Sequence, residues 1–292
     1  MAIFLGTGAS EGIPAAFCGC PVCERARRCG GRDVRSRSAF LIDRTSLIDP
    51  GPDIRQQVTQ NGIDLRQLRS VFVTHTHEDH VSIPELGTRG SAVPPLGGTV
   101  TLYASAKAVA FIRRMMGAYI PPDGRAQVDA DGARTFPGWR FTALQPFRRY
   151  AVDGLTVTPV IGAHLGTAPG EDAFNYLIRD REGRQFLYAC DTGWYGDKTW
   201  AFFAAERPRL DYLVIECTYG TVPLEPRQYG HLDYANLRLM LDRFAELGCI
   251  GRDTPVYVTH ICHLNTHSHA EMQAYLAAQG YAATVAYDGM RV

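Results

Sequence analysis

The run Thr74-His75-Thr76-His77-Glu78-Asp79-His80, directly behind the apolar stretch Ser70-Val71-Phe72-Val73, constrains this chain more than any other segment. Imidazoles and carboxylates packed this closely are hard to satisfy as ordinary buried side chains. The stretch reads as a buried strand running into a metal-binding turn. In an extended or tightly turned backbone His75 and His77 project to one side, while Asp79 and His80 come round to face a neighbouring point. That arrangement suits two adjacent cations, which at about 3.5–4 Å apart hold a water and clamp substrate oxygens. A solvated loop rich in histidine is the plain alternative. With only 9 histidines in 292 residues, the clustering argues against chance.

A pair of cations needs more donors than one motif supplies, and isolated candidates stand behind other apolar runs. His164 follows Val157 to Ile161 and a glycine, Asp191 follows Phe186-Leu187-Tyr188-Ala189-Cys190, and His260 follows Val256-Tyr257-Val258-Thr259. Each sits at the C-terminal end of an expected strand, where open sheets place their sites. Taken singly each has a bland reading: a lone histidine beside a strand is commonly a core residue, and Asp191-Thr192-Gly193 could be a simple turn.

A second cluster, Cys18-Gly19-Cys20-Pro21-Val22-Cys23, lies near the N-terminus. In a reducing compartment closely spaced cysteines favour metal over disulfide, and three thiolates leave one place on a tetrahedral zinc. His263, three residues after His260, is the expected fourth ligand of this structural zinc, with Cys29 and His267 as rivals and redox-active thiols as a further alternative. His267 and His269 are expected at the surface, before a helix capped by Thr266 or Ser268. Cys190, Cys217, Cys249 and Cys262 are expected to be buried or half-buried thiols without a role.

The composition, 46% hydrophobic with 29 glycines and 17 prolines, fits one turn-rich domain over residues 1–292 with an N-terminal zinc knuckle at about 18–29. Thirty basic residues balance thirty acidic ones, so no global field draws the chain to nucleic acid or to a membrane. No charged and apolar leader opens the sequence, and no stretch approaches the roughly 18 apolar residues of a membrane span. A cytoplasmic location is expected. Apolar runs bounded by Gly, Pro and Asp place strands near 2–6, 39–43, 46–49, 70–74, 99–103, 139–145, 155–161, 173–179, 185–189, 211–216, 255–259 and 283–287. Helices are expected over Pro52 to Gln60, Ala104 to Met116, Asp197 to Glu206, Tyr234 to Leu247 and Ser268 to Gln279. The segment Pro121 to Gly138, rich in Pro, Gly and Asp, is expected to be a mobile loop that overhangs the site.

The pattern His75-x-His77-x-Asp79-His80 resembles the signature of the metallo-β-lactamase superfamily of binuclear hydrolases. Phe4-Leu5-Gly6-Thr7-Gly8, Leu47-Ile48-Asp49-Pro50-Gly51 and Ala286-Tyr287-Asp288-Gly289-Met290 are similar to that superfamily's other landmarks, in order. The residues alone reach only an α/β chain whose sheets are covered by helices. The resemblance implies an αββα sandwich, with two mixed sheets packed face to face, helices outside and metals at one edge. It also implies a ligand set: His75, His77 and His164 on one metal, Asp79, His80 and His260 on the other, and Asp191 bridging.

The Cys-rich opening resembles that of the phosphoribosyl cyclic phosphate phosphodiesterases of carbon-phosphorus lyase pathways. That resemblance gives His231, in Tyr229-Gly230-His231-Leu232-Asp233, a role in proton transfer; a packed histidine before a helix is the alternative reading. The expected activity is a binuclear phosphoric diester hydrolase acting on a small, cyclic phosphodiester. A water activated between two divalent metals, Zn or Mn, attacks phosphorus, Asp79 orients it, and His231 protonates the leaving group. A lactam, lactone or thioester hydrolase is the second reading. A non-hydrolytic relative from pyrroloquinoline quinone biosynthesis is the third. No basic arm for folded RNA is evident, and a homodimer is expected from the relatives. Arg25, Arg27, Arg28, Arg35, Arg37, Arg113 and Arg114 are candidates to hold a second phosphate, against a plain reading as solvated charge.

Overall fold

The computed structural model describes residues 1–121 and 124–292 of the chain. Strands β1 (Ile3–Gly6), β2 (Ala39–Asp43), β3 (Ser46–Ile48), β4 (Ser70–Phe72) and β5 (Val100–Ser105) form one sheet in that order. The chain then makes a small hairpin, β6 (Gln127–Val128) and β7 (Arg134–Thr135), before β8 (Trp139–Leu144) closes the sheet beside β5. The second sheet runs from β9 (Tyr150–Val152) through β10 (Leu155–Ile161), β11 (Phe174–Arg179), β12 (Gln185–Ala189), β13 (Tyr212–Glu216) and β14 (Val256–Thr259) to β15 (Ala283–Val285). Both sheets are mixed. β3, β4, β5 and β8 are parallel, as are β12 to β15, while the remaining neighbours pair antiparallel.

Burial on both faces explains why the strands read as continuous apolar runs rather than alternating ones. In β13, Tyr212 and Val214 point into the layer between the sheets, while Leu213 and Ile215 point to the helices outside. The layer between the sheets is aromatic: Phe4, Phe40, Phe72, Tyr176, Phe186 and Tyr188 are all fully buried within it. Each such ring removed from water contributes about 1.5–3 kcal/mol. Helices α2 (Ile54–Asn61), α3 (Ile83–Gly87) and α4 (Ala106–Tyr119) flank the first sheet, and α5 (Asp197–Glu206), α6 (Tyr234–Glu246) and α7 (His269–Ala277) flank the second. Side-chain caps start three of them. Ser105 accepts from Ala108 N, Asp233 from Asn236 N, and Ser268 forms a capping box with Glu271.

The αββα sandwich expected from the sequence is the fold observed. Several local expectations need correction. The first flanking helix starts at Ile54, not Pro52, because Pro52 and Asp53 form a turn and Asp53 is the N-cap, its carbonyl accepting from Gln57 N while its carboxylate holds Arg37 N and Nη1 at 2.9 and 2.7 Å. α1 (Pro21–Cys29), inside the Cys-rich opening, and the short α3 were not foreseen, nor were β6, β7 and β9. The expected overhanging loop, apart from residues 122 and 123, which lie outside the described residues, contains the β6–β7 hairpin. Arg113 of α4 grips Asp129 and Asp131 of that hairpin, and Gln127 Nε2 bonds the Trp139 carbonyl at 3.0 Å. These bonds tie the segment to α4 and β8.

Candidate metal centre

The motif behind β4 meets the ends of β10, β12 and β14 at one edge of the sandwich. His75, His77, His164 and Asp191 bring donor atoms within 4.8 Å of one another, and Asp79, His80, Asp191 and His260 do the same beside them. Asp191 is common to both groups. All seven sequence-predicted residues of the pair are therefore gathered, in the two sets expected.

Parallel pairing explains why such distant residues meet. β12, β13 and β14 run side by side in register, so the residues after Ala189, Glu216 and Thr259 emerge at the same edge. Asp49, Asp191 and His260 adopt left-handed backbone conformations, with φ of 56°, 53° and 57°. That is uncommon for residues other than glycine, and such local strain is held where a site needs it. Gly51 is required for a different reason: a Cβ there would stand 2.1 Å from the Asp79 carbonyl, so only glycine lets the two loops approach.

Three of the histidine donors, His80, His164 and His260, are aimed by a second residue. Asp49, fully buried, accepts from Thr74 N and Thr74 Oγ1 and lies 2.8 Å from His80 Nδ1, which leaves His80 Nε2 for the site. His164 Nδ1 donates to the Gly230 carbonyl at 2.9 Å, freeing its Nε2. Thr218 Oγ1 lies 2.8 Å from His260 Nδ1. Such partners fix ring orientation and tautomer in metal sites. Glu171 acts one step further out: its Oε1 accepts from Thr76 N and Thr76 Oγ1, and Thr76 Oγ1 accepts from Ala168 N. This clasps the motif to the loop that carries His164.

The donor sets fit divalent cations. His80 Nε2 lies 2.8 Å from Asp191 Oδ2 and 3.1 Å from Asp79 Oδ2, yet His80 Nε2, His260 Nε2 and Asp191 Oδ1 are buried without a hydrogen-bond partner. Buried polar atoms that converge without pairing are costly unless something binds among them. Burial, with the charge of His80, pushes His75 down to about 3, so it offers a neutral imidazole. Burial acts to raise Asp191, but the charges of His260 and His80 hold it well below the usual carboxylate range.

The second cluster also assembles. Cys18, Cys20, Cys23 and His263 form a group with donor atoms within 4.8 Å of one another, with His263 Nδ1 3.5 Å from Cys18 Sγ and 3.7 Å from Cys20 Sγ. Pro21 opens α1, and the Cys20 sulfur accepts from Cys23 N at its start. Against the effect of burial, the Cys23 amide and the His263 imidazole bring the Cys20 thiol down to about 6. Cys29 lies exposed at the far end of α1, and His267 Nδ1 faces Tyr234 Oη at 3.2 Å, so neither rival joins the group. No cysteine is in a disulfide. Cys190, Cys217, Cys249 and Cys262 are buried as expected. His267 and His269 are half-buried rather than on the surface, because His269 Nδ1 packs 3.1 Å from the buried Arg35 and Ser268 takes the cap between them.

His231 joins the edge from the segment before α6. Its Nδ1 lies 2.8 Å from Glu216 Oε1 and 3.6 Å from Asp191 Oδ1. Glu216 is fully buried at the end of β13 and also accepts from Thr192 N, Thr218 N, Thr218 Oγ1 and Leu232 N. Sequence reasoning missed Glu216, Glu171 and the orienting role of Asp49. A carboxylate closing an otherwise apolar strand, as in Tyr212-Leu213-Val214-Ile215-Glu216, was the available signal for the first.

A binuclear-type His/Asp site at the strand ends of an αββα sandwich defines a class of metal-dependent hydrolases. The chain belongs to the metallo-β-lactamase superfamily: the beta-lactamase superfamily domain matches residues 44–279. Among solved structures, a diphosphatase of the PhnP family superposes with a TM-score of 0.72 at 21% identity, covering 100% of this chain and 95% of that one. Zinc-bound PqqB from Methylobacterium extorquens superposes at 0.71 and 20% identity, covering 99% and 98%. These likenesses show the fold. By sequence, an octanoyltransferase of Porphyromonas gingivalis is 43% identical over 83 residues, 27% of this chain and 16% of that protein. Coenzyme PQQ synthesis protein B of Methylobacterium radiotolerans is 33% identical over 92 residues, 27% of this chain and 31% of that protein. The chain thus spans less than a third of the length of these curated relatives. No helix among the described residues is long and apolar enough to cross a membrane.

Proposed function

We propose that this metal-dependent hydrolase is a phosphodiesterase that opens a small, cyclic phosphodiester to a monoester. The observation that carries the reading is the His231–Glu216 pair at the rim of the double cluster, with His231 Nδ1 2.8 Å from Glu216 Oε1 and 3.6 Å from Asp191 Oδ1. His75, His77 and His164 would hold one cation, Asp79, His80 and His260 the other, with Asp191 between them and Zn or Mn as the metals. When bound, such a pair supplies Lewis acidity and an acidified water. Cys18, Cys20, Cys23 and His263 would hold a structural zinc.

Hydrolysis adds the oxygen of one water to phosphorus and breaks one P–O ester bond. The leaving alkoxide needs a proton. Burial opposes the charge on His231, but the Glu216 carboxylate raises its pKa above the ordinary histidine value, which favours the protonated ring as the donor. Glu216 holds the ring through Nδ1, leaving Nε2 to donate. Asp79, kept ionised despite burial by the charge of His80 and by hydrogen bonds from His260 and His80, orients the attacking water. The fold shared with a PhnP-family diphosphatase makes diphosphate cleavage the neighbouring chemistry to test.

The test is turnover of bis(p-nitrophenyl) phosphate by manganese- or zinc-loaded protein and its Asp191→Ala variant, beside a diphosphate, a lactam, a lactone and a thioester. Diester cleavage that disappears in the variant supports the reading. Turnover of another member of the panel without diester cleavage overturns it.

A further inference from the structure

Five of the seven arginines expected to hold a second phosphate are engaged, and Arg114 lies over the Phe111 ring at 5.4 Å. Arg35 is buried, and its Nη1 donates to Thr7 Oγ1 at 2.7 Å and the Ala286 carbonyl at 2.6 Å. Arg37 pairs with Asp53 at 2.7 Å, and Arg25 lies 3.7 Å from both Asp33 and Glu271. Arg27 bonds the carbonyls of Cys18 and Ala15 together with Glu24, at 2.6, 2.9 and 2.7 Å. Arg113 is held by Asp129 and Asp131. Arg28 is exposed on α1, and Arg227 lies over the Trp194 ring at 5.0 Å.

The loops that carry the site present apolar side chains to solvent instead. Leu165 follows His164 and is 65% exposed, and Tyr229, 52% exposed, precedes the glycine whose carbonyl holds His164. Leu264, 50% exposed, follows His263 on a loop that Cys262 N ties to the Thr218 carbonyl at 3.1 Å. Tyr219, next in sequence to Thr218, sets its ring 5.7 Å from that of His231. Phe17, wholly exposed, precedes Cys18. A single exposed hydrophobic residue needs no explanation, but several on the loops of one site mark a recognition surface.

We propose that these side chains form an apolar subsite, so that the substrate is a singly charged diester bearing an aryl or other bulky apolar group. A sugar carrying a second phosphate is the substrate this rim disfavours. Leu165 and Tyr229 stand on loops joined by the His164–Gly230 bond, and Tyr219 and Leu264 on loops joined by the Cys262–Thr218 bond. The inference rests on the phosphodiesterase reading for its chemistry, but its binding half stands by itself.

The experiment uses metal-loaded full-length protein and p-nitrophenyl diesters whose second substituent is methyl, phenyl or ribose 5-phosphate. In parallel, binding of methyl(phenyl)phosphinate and dimethylphosphinate, singly charged anions with no ester bond to cleave, is followed by tryptophan fluorescence or calorimetry. The expected kcat/KM for the phenyl diester exceeds that for the methyl one by roughly tenfold or more, with the same order in binding. Leu165→Ser and Tyr229→Ser bring both ratios toward one. Equal ratios in the parent protein overturn the subsite. A preference for the ribose 5-phosphate diester that is lost in Arg28→Ala or Arg227→Ala overturns it in favour of a second phosphate. Methyl(phenyl)phosphinate binding that is tighter than dimethylphosphinate binding, with no diester cleaved, removes the phosphodiesterase reading and leaves the subsite standing.

Discussion

Glu216 and His231 form a fixed pair at the edge of the candidate metal centre, with Oε1 and Nδ1 2.8 Å apart. The carboxylate is fully buried and held by backbone amides from the loops after β12 and β13 and from the segment before α6. The ring it orients stands 4.7 Å from His164 and 5.8 Å from His260, centre to centre. A ring held this way has little freedom to reorient, which makes its proposed role testable.

If His231 protonates the leaving group, its loss should matter most for poor leaving groups. His231→Ala is expected to lower kcat by roughly 10²–10⁴-fold for an alkyl leaving group and much less for p-nitrophenolate. Metal content should be unchanged. Equal losses for both leaving groups, or loss of metal, would refute the assignment.

Asp49 holds His80 and Thr74 from behind, so its removal should loosen the pair of cations without touching them. Asp49→Ala is expected to weaken metal affinity by roughly 10–100-fold, measured by competition with a chelating dye. Unaltered affinity in a folded variant would show that the His80 orientation is set elsewhere.

The Cys₃His group should hold zinc independently of the catalytic pair. Cys20→Ser is expected to lower the zinc content measured by elemental analysis and to lower Tm, because ligand binding energy at such a site is folding energy. Zinc content equal to that of the parent protein would exclude a structural zinc at these residues.

Glu171 gives a pH dependence with a defined sign. Burial, only partly offset by its bonds to Thr76, raises its folded pKa above the usual glutamate value. A raised pKa contributes stability that is full below the unfolded value, about 4.3, and is lost as pH rises through the folded value. Glu171→Gln keeps acceptors for Thr76 and removes the charge. Its stability relative to the parent should therefore improve between acidic and neutral pH, as read by denaturant unfolding. Glu171→Ala should cost about 1–3 kcal/mol throughout, since Thr76 loses its partner. A Gln variant that loses ground as pH rises would reverse the sign and defeat the assignment.

Much of the fold was legible because the strands are buried on both faces. Runs such as Phe186 to Ala189 and Tyr212 to Ile215 announce themselves by composition, and caps such as Ser268 with Glu271 mark a helix start. The short elements were illegible. β6, β7 and β9 have three residues or fewer, too few for a period to declare itself, and α1 was hidden inside a run read for its cysteines.

The sequence by itself picked out the histidine and aspartate side chains that the fold gathers into two donor groups. Histidine and aspartate behind apolar strands have few other satisfactory uses, and strand ends must meet at one edge of a parallel sheet. Only the tertiary structure decided what serves those donors. Asp49, Glu171 and Glu216 are ordinary acidic residues in the chain, and they gain their roles from partners 31, 95 and 15 residues away. It also decided the fate of Arg25, Arg27, Arg37 and Arg113, whose charges are taken up by Asp33, Glu271, Glu24, Asp53 and Asp129. Donor chemistry is a property of residue type, whereas orientation and charge pairing depend on which surfaces the fold brings together.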